Sequence, residues 1–283
     1  MKNIFFAVVL MMVIITASAQ QAPSRLIVRG DDMGFSHSGN MALIKCYKDG
    51  IEKSIEVIVP SPWFPEAVKL LKENPGVDVG IHLALTSEWD NVKWRPLTDC
   101  PSIRDSNGYF YPKVYPDKAY PGMSIKENKW KLEDIEKEFR AQIEMALKLI
   151  PHISHLSSHM GCATLTPEVK ALTERLAKEY HIPVDPDTDV QGLVGYAGPH
   201  ATSEEKIESF IKMLDKLEPG KTYIFLDHPG IDDDELRAIH HIGYENVAQD
   251  RQGVTDLFTS EKVKEAIKQK GIQVIGYINL VQN

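Results

Sequence analysis

The sequence predicts an α/β domain built on a parallel sheet, and three observations carry that reading. Short apolar, β-branched runs alternate about seven times with stretches of helical spacing. The first run, Leu26-Ile27-Val28, is continuous and ends in the polar edge Arg29-Gly30-Asp31-Asp32, as a strand buried on both faces and feeding a βα loop would. No shift in composition marks a linker, so the alternation belongs to one domain, closed as a barrel or wound open. A chain of 283 residues, 43% hydrophobic and 25% charged, is long enough to bury one core of that size.

Residues 1–19 stand apart from this pattern. Lys2, the apolar stretch Ile4 to Ile15 and the small residues Ala17-Ser18-Ala19 have the layout of a cleaved secretory signal. The folded domain is therefore expected to span 24–283 and to be exported, periplasmic or extracellular, with no membrane anchor. Strand one (Arg25 to Asp32) leads into a helix from about His37 to Asp49, stopped by Gly50. Ser54 to Val59 is a second strand closed by prolines. Trp63 to Leu71 has helical spacing up to Asn74-Pro75-Gly76, and Val77 to Leu83 is a third strand.

From Thr86 to about Lys126 regularity lapses into a long Pro- and aromatic-rich insertion. A connection of that length is a functional loop or lid, or an excursion with its own small core. Leu132, Ile135, Phe139, Ile143, Leu147 and Ile150 mark an amphipathic helix ended by Pro151. Ile153 to His159 is a fourth strand with a polar end, followed by a helix opening at Thr166-Pro167. Ile182 to Val184 is expected as a fifth strand. A helix follows from Ser203, then a sixth strand over Thr222 to Leu226. Helices over Asp232 to His241 and Ser260 to Lys270 precede a seventh strand over Ile272 to Ile278.

The net charge is −8, and about −9 once Lys2 is removed with the signal, with no basic block to offset it. That balance argues against nucleic acid or anionic membrane as partner. There is no glycine-rich dinucleotide fingerprint and no Walker loop. Cys46, Cys100 and Cys162 have no metal-knuckle spacing and are read as packing residues.

Asp31 and Asp32 follow strand one, His82 ends strand three, His159 follows strand four and His228 follows strand six. In a (β/α) barrel all of these carboxyl ends meet at one mouth. For each residue alone the competing reading is a capped turn or a hydrogen-bonded structural histidine. Two imidazoles and a carboxylate suit a divalent metal with open positions for water and substrate. The second carboxylate would then serve as base and His228 as acid, a set suited to amide or ester hydrolysis.

Leu26-Ile27-Val28-Arg29-Gly30-Asp31-Asp32-Met33-Gly34, Val77 to Thr86, Ser154-His155-Leu156-Ser157-Ser158-His159 and His228-Pro229-Gly230 resemble the motifs of the YdjC-like (ChbG/HpnK-type) carbohydrate deacetylases. Leu257 to Ser260 and Gly271 to Leu280 resemble that family's C-terminal end. The resemblance implies a single-domain TIM-like, imperfect (β/α) barrel of about seven parallel strands. It also implies removal of an N-acetyl group from an amino sugar or short oligosaccharide with one divalent metal ion, Mg or Zn first. By position it implies Asp31 as base, Asp32, His82 and His159 as metal ligands, and His228 as acid. Three departures bear on the substrate: Ser157 stands where the family has Asp, Gly161 where it has a further His, and Arg29-Gly30 where it often has Asn-Ala.

Trp63, Trp89 and Trp94 are candidates to stack on a sugar ring, with packing as the competing reading. Arg251 and Arg95 are candidates to orient a substrate or Asp31, with a surface salt bridge as the competing reading. His37, His152, His155, His181, His200, His240 and His241 are read as structural or exposed. Rival functions are a metal-dependent hydrolase of another amide or ester, and a glycan-binding barrel without turnover. A homodimer is an open option.

Overall fold

The computed structural model describes residues 22–184 and 190–281, so the expected signal at 1–19 lies outside the described residues. Its centre is β1 (Arg25–Met33), buried along nearly its whole length. β1 pairs in parallel with β5 (Thr222–Asp227) on one side. Its other side is shared: β6 (Gln273–Ile275) takes the N-terminal half and β2 (Ser54–Val57) the C-terminal half. β3 (Asp78–Leu83) and β4 (Ile153–Ser158) continue the sheet beyond β2, giving the order β4-β3-β2-β1-β5. Every pairing is parallel, as the alternation of apolar runs and helices requires.

Six strands are present among the described residues rather than about seven. Ile182 to Val184 is not a strand. That segment makes one ladder-like hydrogen bond, Val184 N to the Ser154 carbonyl at 2.9 Å, at the open side of β4. The segment from Gln191 to Val194 runs beside β5 in the same irregular way, through Gln191 N to Thr222 O and Val194 N to Ile224 O. The seventh expected strand is shorter than its apolar run. After β6 the backbone turns at Gly276, where a Cβ would meet the Asp78 side chain, and Tyr277 N donates to Asp78 Oδ2 at 2.7 Å.

The helices α1 (His37–Asp49), α2 (Phe64–Glu73), α3 (Leu132–Leu149), α4 (Pro167–Glu179) and α5 (Ser203–Leu214) lie where the sequence predicts them. The helix expected over Asp232 to His241 shrinks to α6 (Asp234–Arg237). Next comes an unexpected helix, α7 (Val247–Thr259), which packs on α1 and α5, followed by α8 (Glu261–Gln269).

The stretch from Ala84 to Lys131 is a folded excursion. Its Trp89, Trp94, Cys100, Ile103, Phe110, Val114 and Ile125 join the main core. Two buried polar residues of α3 tie it down. Glu138 accepts from Leu97 N and Thr98 N, and Gln142 exchanges hydrogen bonds with the backbone of Ala84. All three cysteines are buried and free.

Candidate active site

Neighbouring side chains on a strand point to opposite faces, so two adjacent aspartates would not ordinarily share a site. A bulge in β1 changes this. Gly30 pairs with Ile55 and Met33 with Val57, so β1 advances three residues while β2 advances two. Asp32 takes a left-handed backbone conformation there, with φ at +71°. Asp is among the residues that tolerate this region best. As a result both carboxylates face one imidazole: His82 Nε2 lies 3.7 Å from Asp31 Oδ2 and 3.7 Å from Asp32 Oδ1. Past the bulge, Gly34 has φ at +108° and its N–H donates to Asn40 Oδ1 at 2.7 Å, while Ser36 caps α1. The βα turn is thereby fixed from both ends.

His82 ends β3 beside Ser157 of β4, and His159 begins the tight turn after β4, where Met160 and Gly161 both have positive φ. His159 Nδ1 lies 3.2 Å from Asp32 Oδ1, and the His82 and His159 rings are 5.3 Å apart. His228, after β5, brings Nε2 to 3.8 Å from Asp32 Oδ2. The five residues singled out on topological grounds therefore converge at the carboxyl ends of the strands.

Each member has a partner held at least partly out of solvent. Arg29 clamps Asp31 with two hydrogen bonds, Nε to Oδ1 at 2.7 Å and Nη2 to Oδ2 at 2.8 Å. Arg251 Nη2 donates to Asp32 Oδ2 at 2.9 Å. Glu88 Oε2 meets His159 Nε2 at 3.0 Å, and Ser157 Oγ meets His82 Nδ1 at 2.7 Å. Asp227 accepts from His228 N and from the Tyr196 hydroxyl, with His228 Nδ1 at 3.5 Å.

These contacts set the charges. Burial would raise the pKa of Asp32, but His228, His159 and Arg251 outweigh it and hold the carboxyl well below its ordinary value. Burial pushes His82 down to about 4 despite the two aspartates, so its imidazole is neutral. His159 goes the other way: Glu88 and Asp32 overcome burial and raise it to about 10. His228 is raised by Asp32 and Asp227, again against burial.

Asp32, His82 and His159 fit a metal. One ligand atom from each lies within 4.8 Å of the others. Ligands held at about 2.1 Å around a tetrahedral ion sit roughly 3.4 Å apart, close to the observed 3.2 and 3.7 Å. Asp32 Oδ1 is buried and has no hydrogen-bond partner among the described residues, although it faces both imidazoles. An orphaned carboxylate oxygen between two ring nitrogens is the signature expected of a ligand set. Both oxygens of Asp31, by contrast, are held by Arg29.

The site opens into a cavity of about 350 Å³, whose walls add Trp89, Met160, Gly161, His241 and Tyr244 to these residues. A larger one of about 560 Å³, between β4 and α4, touches Arg29 and Ser157 but none of the five.

Several expectations change here. Arg251 is no surface residue: at 4% exposure it holds Asp32 from inside, between the rings of Phe35 (4.6 Å) and Trp89 (5.1 Å). Trp94 is buried in the core, and Trp63, 39% exposed, leans on His37 away from the cavity. Trp89 alone of the three reaches the cavity. Arg95 lies over the Tyr109 ring. His241, read as structural or exposed, is part of the cavity wall, and His155 is fully buried against Glu56. Glu88, Arg29, Glu56, Asp227 and Tyr244 were not anticipated. Glu88 had a local signal in its place six residues past His82 in sequence, but nothing in the spacing ties it to His159.

A sequence profile of the family described as YdjC-like protein matches residues 25–269. Among curated relatives, a carbohydrate deacetylase of Thermus thermophilus is 31% identical, the alignment covering 76% of this chain and 80% of that protein. Carbohydrate deacetylase 1 of Listeria innocua is 25% identical over 90% of this chain and all of its own length. Among solved structures, a protein of Enterococcus faecalis named for cellobiose-phosphate cleavage superimposes with a TM-score of 0.72. It is 22% identical, and the match covers 92% of this chain and 99% of that one, a likeness of fold.

Proposed function

The chain belongs to the YdjC-like family, and from that premise we propose that it is a metal-dependent deacetylase of an N-acetylated amino sugar or short oligosaccharide. The observation that carries the reading is the buried convergence of Asp32 Oδ1, His82 Nε2 and His159 Nδ1, with Asp31 beside them and His228 opposite. The relatives named carbohydrate deacetylases supply the substrate class.

A divalent ion held by Asp32, His82 and His159 would acidify a water and polarise the acetyl carbonyl. The donor set suits Zn, with Mg the other leading option. Asp31 takes the proton of the attacking water, and the Arg29 clamp fixes which way its carboxylate faces. His228 gives a proton to the departing amine from Nε2 while Asp227 steadies its other nitrogen. The 35% exposure of the His228 side chain lets it reach a substrate nitrogen. Trp89 Nε1 and Arg251 Nη1 are buried donors without partners among the described residues, and both side chains line the cavity. Trp63 and Trp94 have no part in this reading. Residues 1–19 act in it as an export signal.

Acetate release from N-acetylated mono- and oligosaccharides, with and without chelator, tests the proposal. Activity is expected to vanish on chelation and to return with added divalent metal. Release that survives chelation, or full activity in Asp31→Asn, would overturn it. Oligosaccharide binding with no release under any metal would favour a glycan-binding barrel.

A further inference from the structure

We propose that Glu56 and Ser157 are positioning residues that fix the tautomer of His82, so that its Nε2 lone pair faces Asp32 and His159. The inference rests on the metal-centre reading above and assigns residues which that reading leaves without a task.

A serine hydroxyl has one proton to donate. Ser157 Oγ donates to Glu56 Oε2 in a very short hydrogen bond, and its other acceptor, the Ile81 carbonyl, is 3.5 Å away. Whichever of the two takes the proton, the hydroxyl meets His82 Nδ1 at 2.7 Å as an acceptor. Nδ1 therefore carries the ring hydrogen, and Nε2 is left bare at 3.7 Å from Asp32 Oδ1.

Glu56 is built to stay a carboxylate. It is fully buried, and its Oε1 receives His155 Nε2 at 2.7 Å, with Arg29 Nε 3.9 Å away. The His155 ring stacks on Tyr277 with centroids 3.8 Å apart, and its Nδ1 meets Ser154 Oγ at 2.7 Å. Gly80 makes the space: a Cβ there would land on the Glu56 carboxylate and His155 Nε2. A carboxylate on β2 thus reaches a ligand on β3 through a hydroxyl on β4. This accounts for Ser157 at the position where an aspartate was expected: the negative charge is supplied from β2, two strands away. A carboxylate behind a ligating imidazole orients the ring and raises its basicity, and losing such a partner typically weakens metal binding 10–100-fold.

The test is Zn²⁺ affinity of the chelator-stripped full chain, measured by competition with a chromophoric chelator. Thermal melts of the metal-free variants serve as the control for folding. Ser157→Ala is expected to bind Zn²⁺ about 10–100-fold more weakly, and Ser157→Thr, which keeps the hydroxyl, to stay within about threefold of the parent. Glu56→Gln should weaken binding like Ser157→Ala. The double variant should be no more than about threefold weaker than the worse single one, because both act on one relay. A folded Ser157→Ala with parental affinity would overturn the inference and leave the metal centre standing. Parental Zn²⁺ affinity in His82→Ala would remove the metal-centre reading and this inference together. If Glu56→Gln does not fold, the Ser157 pair decides.

Discussion

Arg251→Met separates the charge of Arg251 from its bulk. The methionine keeps an apolar body between Phe35 and Trp89 while removing the guanidinium that holds Asp32 Oδ2 at 2.9 Å. Breaking a buried ion pair from one side costs about 3–5 kcal/mol. Here the lower end applies, because Asp32 keeps two other cationic neighbours, His159 Nδ1 at 3.2 Å and His228 Nε2 at 3.8 Å. A loss of about 3 kcal/mol in a chain of this size lowers the melting temperature by roughly 6–12 °C. In the metal-saturated protein the ion neutralises Asp32, so the guanidinium matters less and the deficit should fall to about 1 kcal/mol. Thermodynamic closure then requires the variant to bind metal about 30-fold more tightly than the parent. Urea unfolding of both proteins, with chelator and with saturating Zn²⁺, reads all four corners of this cycle. A chelated variant within 1 kcal/mol of the parent, or a deficit that metal does not reduce, would refute the reasoning.

Arg29→Met should lower kcat about 10–100-fold while Zn²⁺ affinity changes little, since it frees the Asp31 carboxylate and touches none of the three proposed ligands. Steady-state kinetics beside metal titration separates the two effects. Asp227 has its pKa lowered to about 2: burial opposes this, and His228, Tyr196 and Lys206 outweigh it. A carboxyl depressed in the folded state stabilises above its unfolded value, near 3.9, and loses that contribution as pH falls through about 2. Tyr196→Phe should therefore cost about 1–2 kcal/mol at pH 5, with the gap closing toward pH 2, as followed by urea unfolding across that range. Gly80→Ala should destabilise by about 3 kcal/mol or more, because its methyl collides with the buried, hydrogen-bonded Glu56 and His155 side chains rather than with a movable apolar chain. Chemical denaturation measures the loss.

The positions of the reactive groups were legible because strand ends announce themselves. Asp31, His82, His159 and His228 each follow an apolar run, and a parallel sheet collects such ends at one edge. Their supports were not legible, since a partner lies where topology brings it. Glu88 reaches His159 across 71 residues and Arg251 reaches Asp32 across 219. The helix α7 was hidden for a related reason. Its buried positions Val247, Val254, Leu257 and Phe258 keep helical spacing, but Arg251 occupies the slot between them and Gly253 interrupts the run. A charge needed by the site broke the apolar period that would have revealed the helix. The stretch Ile182 to Val184 failed the opposite way, having strand composition but making only one ladder-like hydrogen bond to β4, Val184 N to Ser154 O, among the described residues.

The bulge at Asp31–Asp32 explains why so much charge can be buried at one point. It turns two adjacent carboxylates inward, and each meets a different arginine, Arg29 from the same strand and Arg251 from α7. Glu56 and Glu88 add two further carboxylates behind the histidines, both with depressed pKa values because imidazoles outweigh the effect of burial. Glu52, fully buried nearby, has its pKa pushed up by burial and by Asp31, which favours its uncharged form. Asp31, Asp32, Glu56, Glu88 and Asp227 set five carboxyl groups against the two guanidiniums, an excess of acid that a divalent cation offsets. Without the ion, Glu88 and Asp32 hold a proton on His159, and Asp32 and Asp227 raise the pKa of His228 against burial. Buried charge is tolerated only when paired, so the metal-free site is balanced by protons on the groups that metal binding and catalysis need to be mobile. On this reasoning binding a divalent ion must release a proton from His159, whose Nδ1 cannot hold both. Isothermal titration with Zn²⁺ at pH 8 in two buffers of different ionisation enthalpy should show close to one proton released per ion. A buffer-independent heat would mean that the charge is balanced some other way.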